Sequence, residues 1–375
     1  MVLLFRDDSH IQKFFVEWDN SAHKKAVIGH VNRWMLVAVR RNVQEITVRI
    51  GQNNHIMYKI PHQLFNCKSL RKLSMIKCGG GKSAGITLPK SMCFPQLQVL
   101  CLVGFSVSNV ELMEKFLSSC PVLKTFHISE FDIGTQHNLI VESTCLENLV
   151  LDTSCCIHLG QTDHGVTSVT KLCAPKLKDF VCTGLMTQEY SFGNFYSLVS
   201  AAILMKLKKK SKDEILDTYS KLPVEEKEVY AKSMMKFLVA VHKVASMRLS
   251  FGFLEVLSRA PNLLDCPHFC NLQYLQLEMW FTRDSLRSIA YLLRNSPIIY
   301  SVVLTSMESN SEDIGTDWEA GLSLPGMLSR LKIVEIKAVV GCDSELKLLS
   351  FLLKNARFWR KLLFSFVLAL ARLIE

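Results

Sequence analysis

Leu97-Gln-Val-Leu100-Cys-Leu102 sets three apolar residues in the order apolar, two residues, apolar, one residue, apolar. The same phrase returns as Leu70-x-x-Leu73-x-Met75, Leu123-x-x-Phe126-x-Ile128 and Leu146-x-x-Leu149-x-Leu151. It continues as Leu177-x-x-Phe180-x-Cys182, Leu272-x-x-Leu275-x-Leu277 and Leu331-x-x-Val334-x-Ile336, with weaker copies starting at Val43, Val244 and Ile299. From Val43 to Leu177 the copies start 27, 27, 26, 23 and 31 residues apart. From Val244 to Leu331 they start 28, 27 and 32 apart. The gap of 67 from Leu177 to Val244 holds two units, or one unit and an insertion.

Regular spacing of this kind is the signature of leucine-rich repeats, whose period is roughly 20–29 residues. Within each copy the two inner apolar residues are two apart, so they share one side of a strand. That side is the core, and the residues between them face the other way. The return segments carry helical spacing. Val110, Met113, Phe116 and Leu117 follow Ser108; Leu286, Ile289 and Leu293 follow Asp284; Leu346, Leu349 and Leu353 follow Ser344. Pro95, Pro121 and Pro175 each stand two residues before a first leucine, where a strand loses no needed ladder bond. A single unit cannot bury its apolar side, whereas stacked neighbours bury it jointly. The expected fold is an α/β leucine-rich-repeat solenoid, or horseshoe, with a mixed edge.

Composition narrows the function classes. The 49% hydrophobic content supports a packed core. The net charge of +10 includes one strong basic run, Lys206 to Lys212, followed by Glu225, Glu226 and Glu228. That block reads as a solvated loop, and no nucleic-acid partner is expected. The apolar start Met1 to Phe5 is cut short by Arg6, Asp7 and Asp8, so it is no secretory signal. The run Leu362 to Ala371 is half a membrane span, and no membrane role is expected. Thirteen cysteines, several at core positions such as Cys78 and Cys182, point to free thiols in cytoplasm or nucleus.

No constellation supports catalysis, a cofactor or a metal. Gly79-Gly80-Gly81-Lys82-Ser83 resembles the end of a phosphate loop, but Ile76 stands where its first glycine belongs, and Gly85 and Pro89 interrupt the helix that should follow. Cys266-Pro-His-Phe-Cys270 has no second ligand pair at a zinc spacing. Cys155, Cys156, His158, Asp163 and His164 share one loop, which does not converge a nucleophile, a base and an orienting acid. The chain is expected not to be an enzyme.

Three segments together resemble the plant F-box proteins with leucine-rich repeats and an FBD motif. They are Val31-Asn-Arg-Trp34 through Arg40-Arg-Asn-Val-Gln-Glu45; Leu64 through Leu73 with Leu117-Ser-Ser-Cys-Pro-Val-Leu123; and Trp318, Leu324-Pro325, Leu331 through Lys337, Glu345 through Leu349 and Leu352 through Ala356. The resemblance covers residues 11 to 362. It implies the substrate receptor of a cullin-based ubiquitin ligase, in which an N-terminal F-box of about forty residues docks a Skp1-type adaptor. Ten residues precede Ile11 and none reads as an F-box. A Skp1-type adaptor is therefore expected as a partner only of a longer form, and the sequence does not name the target protein.

The expected organisation is a lead or cap at 1–40, with a helix around Lys24 to Val39, and repeats at 41–314 with an insertion near 200–236. An FBD-like segment at 315–362 then caps the open end, and a divergent tail fills 363–375. The expected function is protein–protein recognition by the between-leucine face. Its candidate residues are Glu45, Thr47, Arg49, Lys72, Ser74, Thr125, His127, Asn148, Asp152, Tyr274, Gln276 and Glu278. Arg49, His127 and Tyr274 stand out as interface residue types. The alternatives are a stand-alone interaction protein without a ligase link, and a small-ligand sensor under the 162–170 and 200–236 loops.

Overall fold

A computed structural model describes residues 10–18, 24–51, 60–77, 84–107, 110–130, 139–152, 169–185, 189–207, 219, 222–259, 267–279, 283–306, 330–339, 341, 343–355 and 361–366. The glycine-rich segment 79–83, the loop holding Cys155 to His164, Cys266, Trp318 and most of the basic run lie outside them. The chain forms two compact units, Met1–Ser197 and Leu198–Glu375.

Unit one contains β1 (Lys13–Trp18), α1 (Lys24–Arg40), β2 (Glu45–Ile50), β3 (Lys72–Lys77), β4 (Ala84–Ile86), β5 (Val99–Val103) and β6 (Phe105–Val107). It continues with α2 (Val110–Ser118), β7 (Thr125–Ser129), β8 (Leu139–Glu142), β9 (Asn148–Asp152), β10 (Val169–Cys173), β11 (Asp179–Leu185) and β12 (Glu189–Phe192). Its main sheet runs β1-β2-β3-β5-β7-β9-β11, parallel throughout. Two small parallel sheets, β12-β10-β8 and β4-β6, lie on the return side.

Unit two contains β13 (Ser200–Lys206), α3 (Val224–Val241), β14 (Ser246–Leu249), α4 (Phe251–Arg259), β15 (Tyr274–Met279) and α5 (Arg283–Arg294). It ends with β16 (Ser301–Ser306), β17 (Ile333–Val339), α6 (Asp343–Asn355) and β18 (Lys361–Phe366). Its strands pair in sequence order, again all parallel. The expected mixed edge is not found among the described residues, because each crossover returns the chain to restart in the same direction.

The register stacks the repeat phrase upon itself. In unit one, Ile46, Leu73, Leu100, Phe126, Leu149 and Phe180 form one buried row, and Val48, Met75, Leu102, Ile128, Leu151 and Cys182 form the next. Each fully buried large side chain contributes about 1.5–3 kcal/mol. Behind the sheet, Phe65 and Phe94 meet Phe116 of α2 with ring centroids 5.4–6.1 Å apart, so three successive repeats share one aromatic cluster.

Two backbone devices recur in both units. The first is a turn that closes onto the first leucine. Leu70, Leu97, Leu123 and Leu177 donate N–H to the carbonyls of Cys67, Phe94, Cys120 and Ala174, and Val244, Leu272 and Ile299 donate to those of Val241, Phe269 and Ser296. The accepting residue is buried every time. Pro95, Pro121, Pro175 and Pro297 occupy the second position of such turns, where the fixed φ of proline is favoured. The prolines are thus turn residues first and strand-start residues second.

The second device is a shared carbonyl. Gln44 O accepts N–H from both Arg71 and Lys72, at 2.7 and 3.0 Å. Arg71 O accepts from Gln98 and Val99, Gln98 O from Lys124 and Thr125, Lys124 O from Glu147 and Asn148, and Glu147 O from Lys178 and Asp179. In unit two the shared acceptors are Val199, Ala245, Gln273 and Tyr300, and Lys332 O accepts from Lys361 at 3.1 Å.

This relay places the repeat for which the 67-residue gap left room. Leu198-x-x-Ala201-x-Ile203 starts just before the expected insertion at 200–236 and runs into it, yet it supplies β13, and Ala201 and Ile203 are buried. The wide gap therefore divides into steps of 21 and 46 residues. The longer step carries α3, to which Tyr219 ties the preceding segment by donating to Lys227 O at 3.3 Å. At the ends, β1 and β18 add strands within the expected lead and across the boundary drawn at 362.

Local signals match the helices with one correction. Asn42 takes a left-handed φ of 56° at the end of α1, while Val43 N–H reaches Ala38 O and Asn42 N–H reaches Val39 O, a Schellman closure. Met113, Phe116 and Leu117 of α2 are buried, as are Leu286, Ile289 and Leu293 of α5. In α6 the buried stripe is Glu345, Leu348, Phe351 and Leu352, whereas Leu346 is exposed. The buried Glu345 carboxylate fixes that rotation by accepting from Ser306 Oγ at 2.7 Å and Gly341 N at 2.8 Å. Gly104 has φ of 76°, and a Cβ there would sit 2.8 Å from Lys77 Cβ. Gly104→Ala is expected to destabilise the protein by about 1–3 kcal/mol, read as a lower urea midpoint at unchanged slope; an unchanged midpoint would contradict the close packing.

Candidate protein-binding face

The alternation of each strand sends every second residue to the face opposite the core. All twelve candidate residues occupy such positions. In unit one, Glu45, Lys72, Thr125 and Asn148 share the first row with Lys13, Val99 and Asp179. Thr47, Ser74 and His127 share the middle row with Phe15, Cys101, Val150 and Val181. Arg49 and Asp152 sit one step further along β2 and β9. In unit two, Tyr274, Gln276 and Glu278 are successive face positions of β15.

Their surroundings differ. Arg49 lies 5.7 Å over the ring of Phe15, which is 59% exposed, and pairs with Glu17 at 3.8 Å; Lys13 pairs with Glu45 at 3.2 Å. These exposed pairs add little to stability. Ser74 departs from expectation: at 5% exposure it is covered by its neighbours and offers little to a partner. Asp152 accepts a hydrogen bond from Ser129 at 3.0 Å, and Asn148 donates to Thr125 at 3.4 Å. Burial holds the His127 imidazole below its ordinary range, partly offset by the Asp152 carboxylate.

Unit two carries an aromatic corner. Tyr274 is 50% exposed and its ring lies 6.3 Å from that of Tyr300, over which Lys332 sits at 5.4 Å. Arg248 on β14 pairs with Glu278, so Glu278 is engaged within the face. Tyr300 was missed by the sequence reading because it precedes its strand rather than lying between two leucines. Cys101, Val150 and Val181 were missed because only polar between-leucine positions were collected; the phrase itself marks them.

The segments weighed for chemistry find other uses where they are described. Phe269 is a buried turn residue flanked by exposed His268 and Cys270. Among the described residues no group of three His, Cys, Asp or Glu could hold a metal, and no helix is long and apolar enough to cross a membrane.

Stacked parallel strands with this phrase in register define a leucine-rich-repeat protein. Residues 31–155 match the family described as FBD-associated F-box protein At5g56370, LRR repeats, and residues 324–364 match the FBD family. In its repeats and its FBD segment the chain is similar to the F-box/FBD/LRR-repeat proteins of plants, although no F-box family matches it. It is 24% identical to the Arabidopsis thaliana F-box/FBD/LRR-repeat protein At1g78750, over 96% of this chain and 73% of that protein. It is 25% identical to Arabidopsis F-box/LRR-repeat protein 13, over 96% and 74%, and 26% identical to the putative F-box/FBD/LRR-repeat protein At1g66300, over 95% and 72%. The family segments have physical meanings here. Arg40-Arg-Asn-Val is the helix closure at Asn42, and Cys120-Pro-Val-Leu123 is the turn onto a strand. Leu331 through Asn355 is β17 followed by α6.

Two outcomes are expected. A folded-state His127 pKa below the unfolded value means that the unfolded chain binds the extra proton first. Stability is therefore full above the ordinary histidine range and falls as pH drops through it toward the depressed value. His127→Gln is expected to flatten that part of a urea-midpoint profile between pH 7.5 and 5. Burial also pushes the Cys120 thiol up to about 12 and raises Cys182 further still. Iodoacetamide on the native protein, followed by peptide mass mapping, is expected to label exposed Cys93, Cys173 and Cys270 and to spare Cys120 and Cys182.

Proposed function

We propose that the protein is a non-enzymatic recognition module whose strand face binds a target protein, as the substrate-binding part of a ubiquitin-ligase receptor. The repeats of each unit form a horseshoe-type solenoid, with the face rows lining its inner side. The observation that carries this reading is the unbroken register of unit one, which sets between-leucine side chains from seven strands into common rows. A rigid array of this kind presents side chains at fixed spacing and loses little entropy on binding. The relatives' names carry the ligase link, since they are F-box proteins that share both the repeats and the FBD segment.

Docking to a Skp1-type adaptor requires an F-box, which neither matched segment supplies. That favours a second reading, in which these residues bind a target without delivering it. The eight described cysteines are all free, which suits cytoplasm or nucleus. Residues 1–375 are expected to give no complex with a purified Skp1-type adaptor in size-exclusion chromatography, whereas a fusion carrying an F-box ahead of Met1 is expected to give one. A complex formed by residues 1–375 alone would move adaptor docking into the repeats and defeat this division of labour.

A further inference from the structure

The face of unit one has a chemistry of its own from β3 to β11. Its middle is apolar: Val99, Cys101 and Val103 on β5, Val150 on β9 and Val181 on β11, all half-buried. His127 stands among them, between Cys101 and Val150 in register. The face charges on these strands are few and segregated. Lys72 is the cation, at the start of β3, and Asp152 and Asp179 are the anions, on β9 and β11. The lysines at the strand starts beside Asp179 are committed to Glu147, at 2.7 Å from Lys178 and 3.7 Å from Lys124. Glu45 and Arg49 are matched by Lys13 and Glu17 of β1.

We propose that this face takes a linear protein segment that presents an acidic residue to Lys72, apolar side chains to the Cys101–Val150 middle, and a basic residue to Asp152. Register fixes the spacing. Asp152 lies three strands from Lys72 and four residues further along. With strands about 4.8 Å apart and a rise of about 3.3 Å per residue, the diagonal is roughly 19 Å. An extended segment covers it in about six residues, and a helix in about thirteen. Charge complementarity at the two ends sets the direction of the segment, and the apolar middle supplies the burial between them. The inference rests on the strand face being the binding surface, and it names the partner's chemistry.

The test uses the full 375-residue chain as bait for displayed random sixteen-residue peptides. Enriched peptides are expected to carry Asp or Glu at one end and Lys or Arg at the other, with apolar residues between. Lys72→Glu is expected to weaken them at least tenfold and to be rescued by changing the peptide's acid to Lys. Asp152→Lys is expected to behave likewise and to be rescued by changing the peptide's base to Glu. Cys101→Arg, with folding checked by thermal melting, is expected to abolish binding. Peptides lost on Cys101→Arg but indifferent to both charge reversals would overturn the charge pattern and leave the strand face as the binding surface. Peptides indifferent to all three would overturn both. Absence of any enriched peptide would overturn recognition of a linear segment.

Discussion

One carbonyl per repeat, shared by two N–H groups of the next, is the contact on which the stack depends. At Gln44, Arg71, Gln98, Lys124 and Glu147 the same oxygen receives both amides that open the following strand. Those amides lie where the chain leaves its turn and has no ladder partner yet. Where such an amide is shielded from water and left unpaired, it costs a lost hydrogen bond. Pairing both with a single acceptor fixes where each strand begins relative to its neighbour. Once that point is set, the period of two determines everything along the strand, because a slip of one residue would invert its faces. The buried rows and the half-exposed rows are both consequences of this start point.

The returns are free of that constraint, and they vary. Behind Leu97 lies a helix, behind Leu146 and Leu177 short strands, and behind Leu198 the helix α3. What the returns share is a buried side chain at the turn: Cys67, Phe94, Cys120, Ala174, Val241, Phe269 or Ser296. Size there is negotiable and burial is not. The 23-to-32-residue irregularity in the sequence is an irregularity of the return side, and the strand ladder does not register it.

Much of this was legible in the residues. The period of two within L-x-x-L-x-L identified the buried rows and, by exclusion, the face. The helix expected around Lys24 to Val39 is α1, while the prolines read as strand-entry residues turn out to sit in the turns before the strands. Three features were not legible, each for a physical reason. Leu198-x-x-Ala201-x-Ile203 hid because alanine is a weak marker of a core row; the carbonyl of Val199 and the pairing with β14 identify its strand. The rotation of α6 was misjudged because a buried glutamate, held by Ser306 and the Gly341 amide, displaces the stripe that leucine spacing suggests. The character of the face was half seen: polar candidates were collected, while Cys101, Val150 and Val181 were passed over although they share the row of His127. Alternation reports which way a side chain points and is silent on what stands beside it across the sheet.

The shared carbonyl belongs to the main chain, so any residue type can provide it: glutamine, arginine, lysine, glutamate, valine, alanine and tyrosine all do. Stacking is thereby uncoupled from the identity of the side chains beside it. The outward rows can be rewritten, repeat by repeat, at little cost to the scaffold. An identity of only a quarter of the residues, as between this chain and its relatives, is compatible with one strand ladder and different outward rows. What the outward rows touch can therefore change while the ladder that carries them stays as it is.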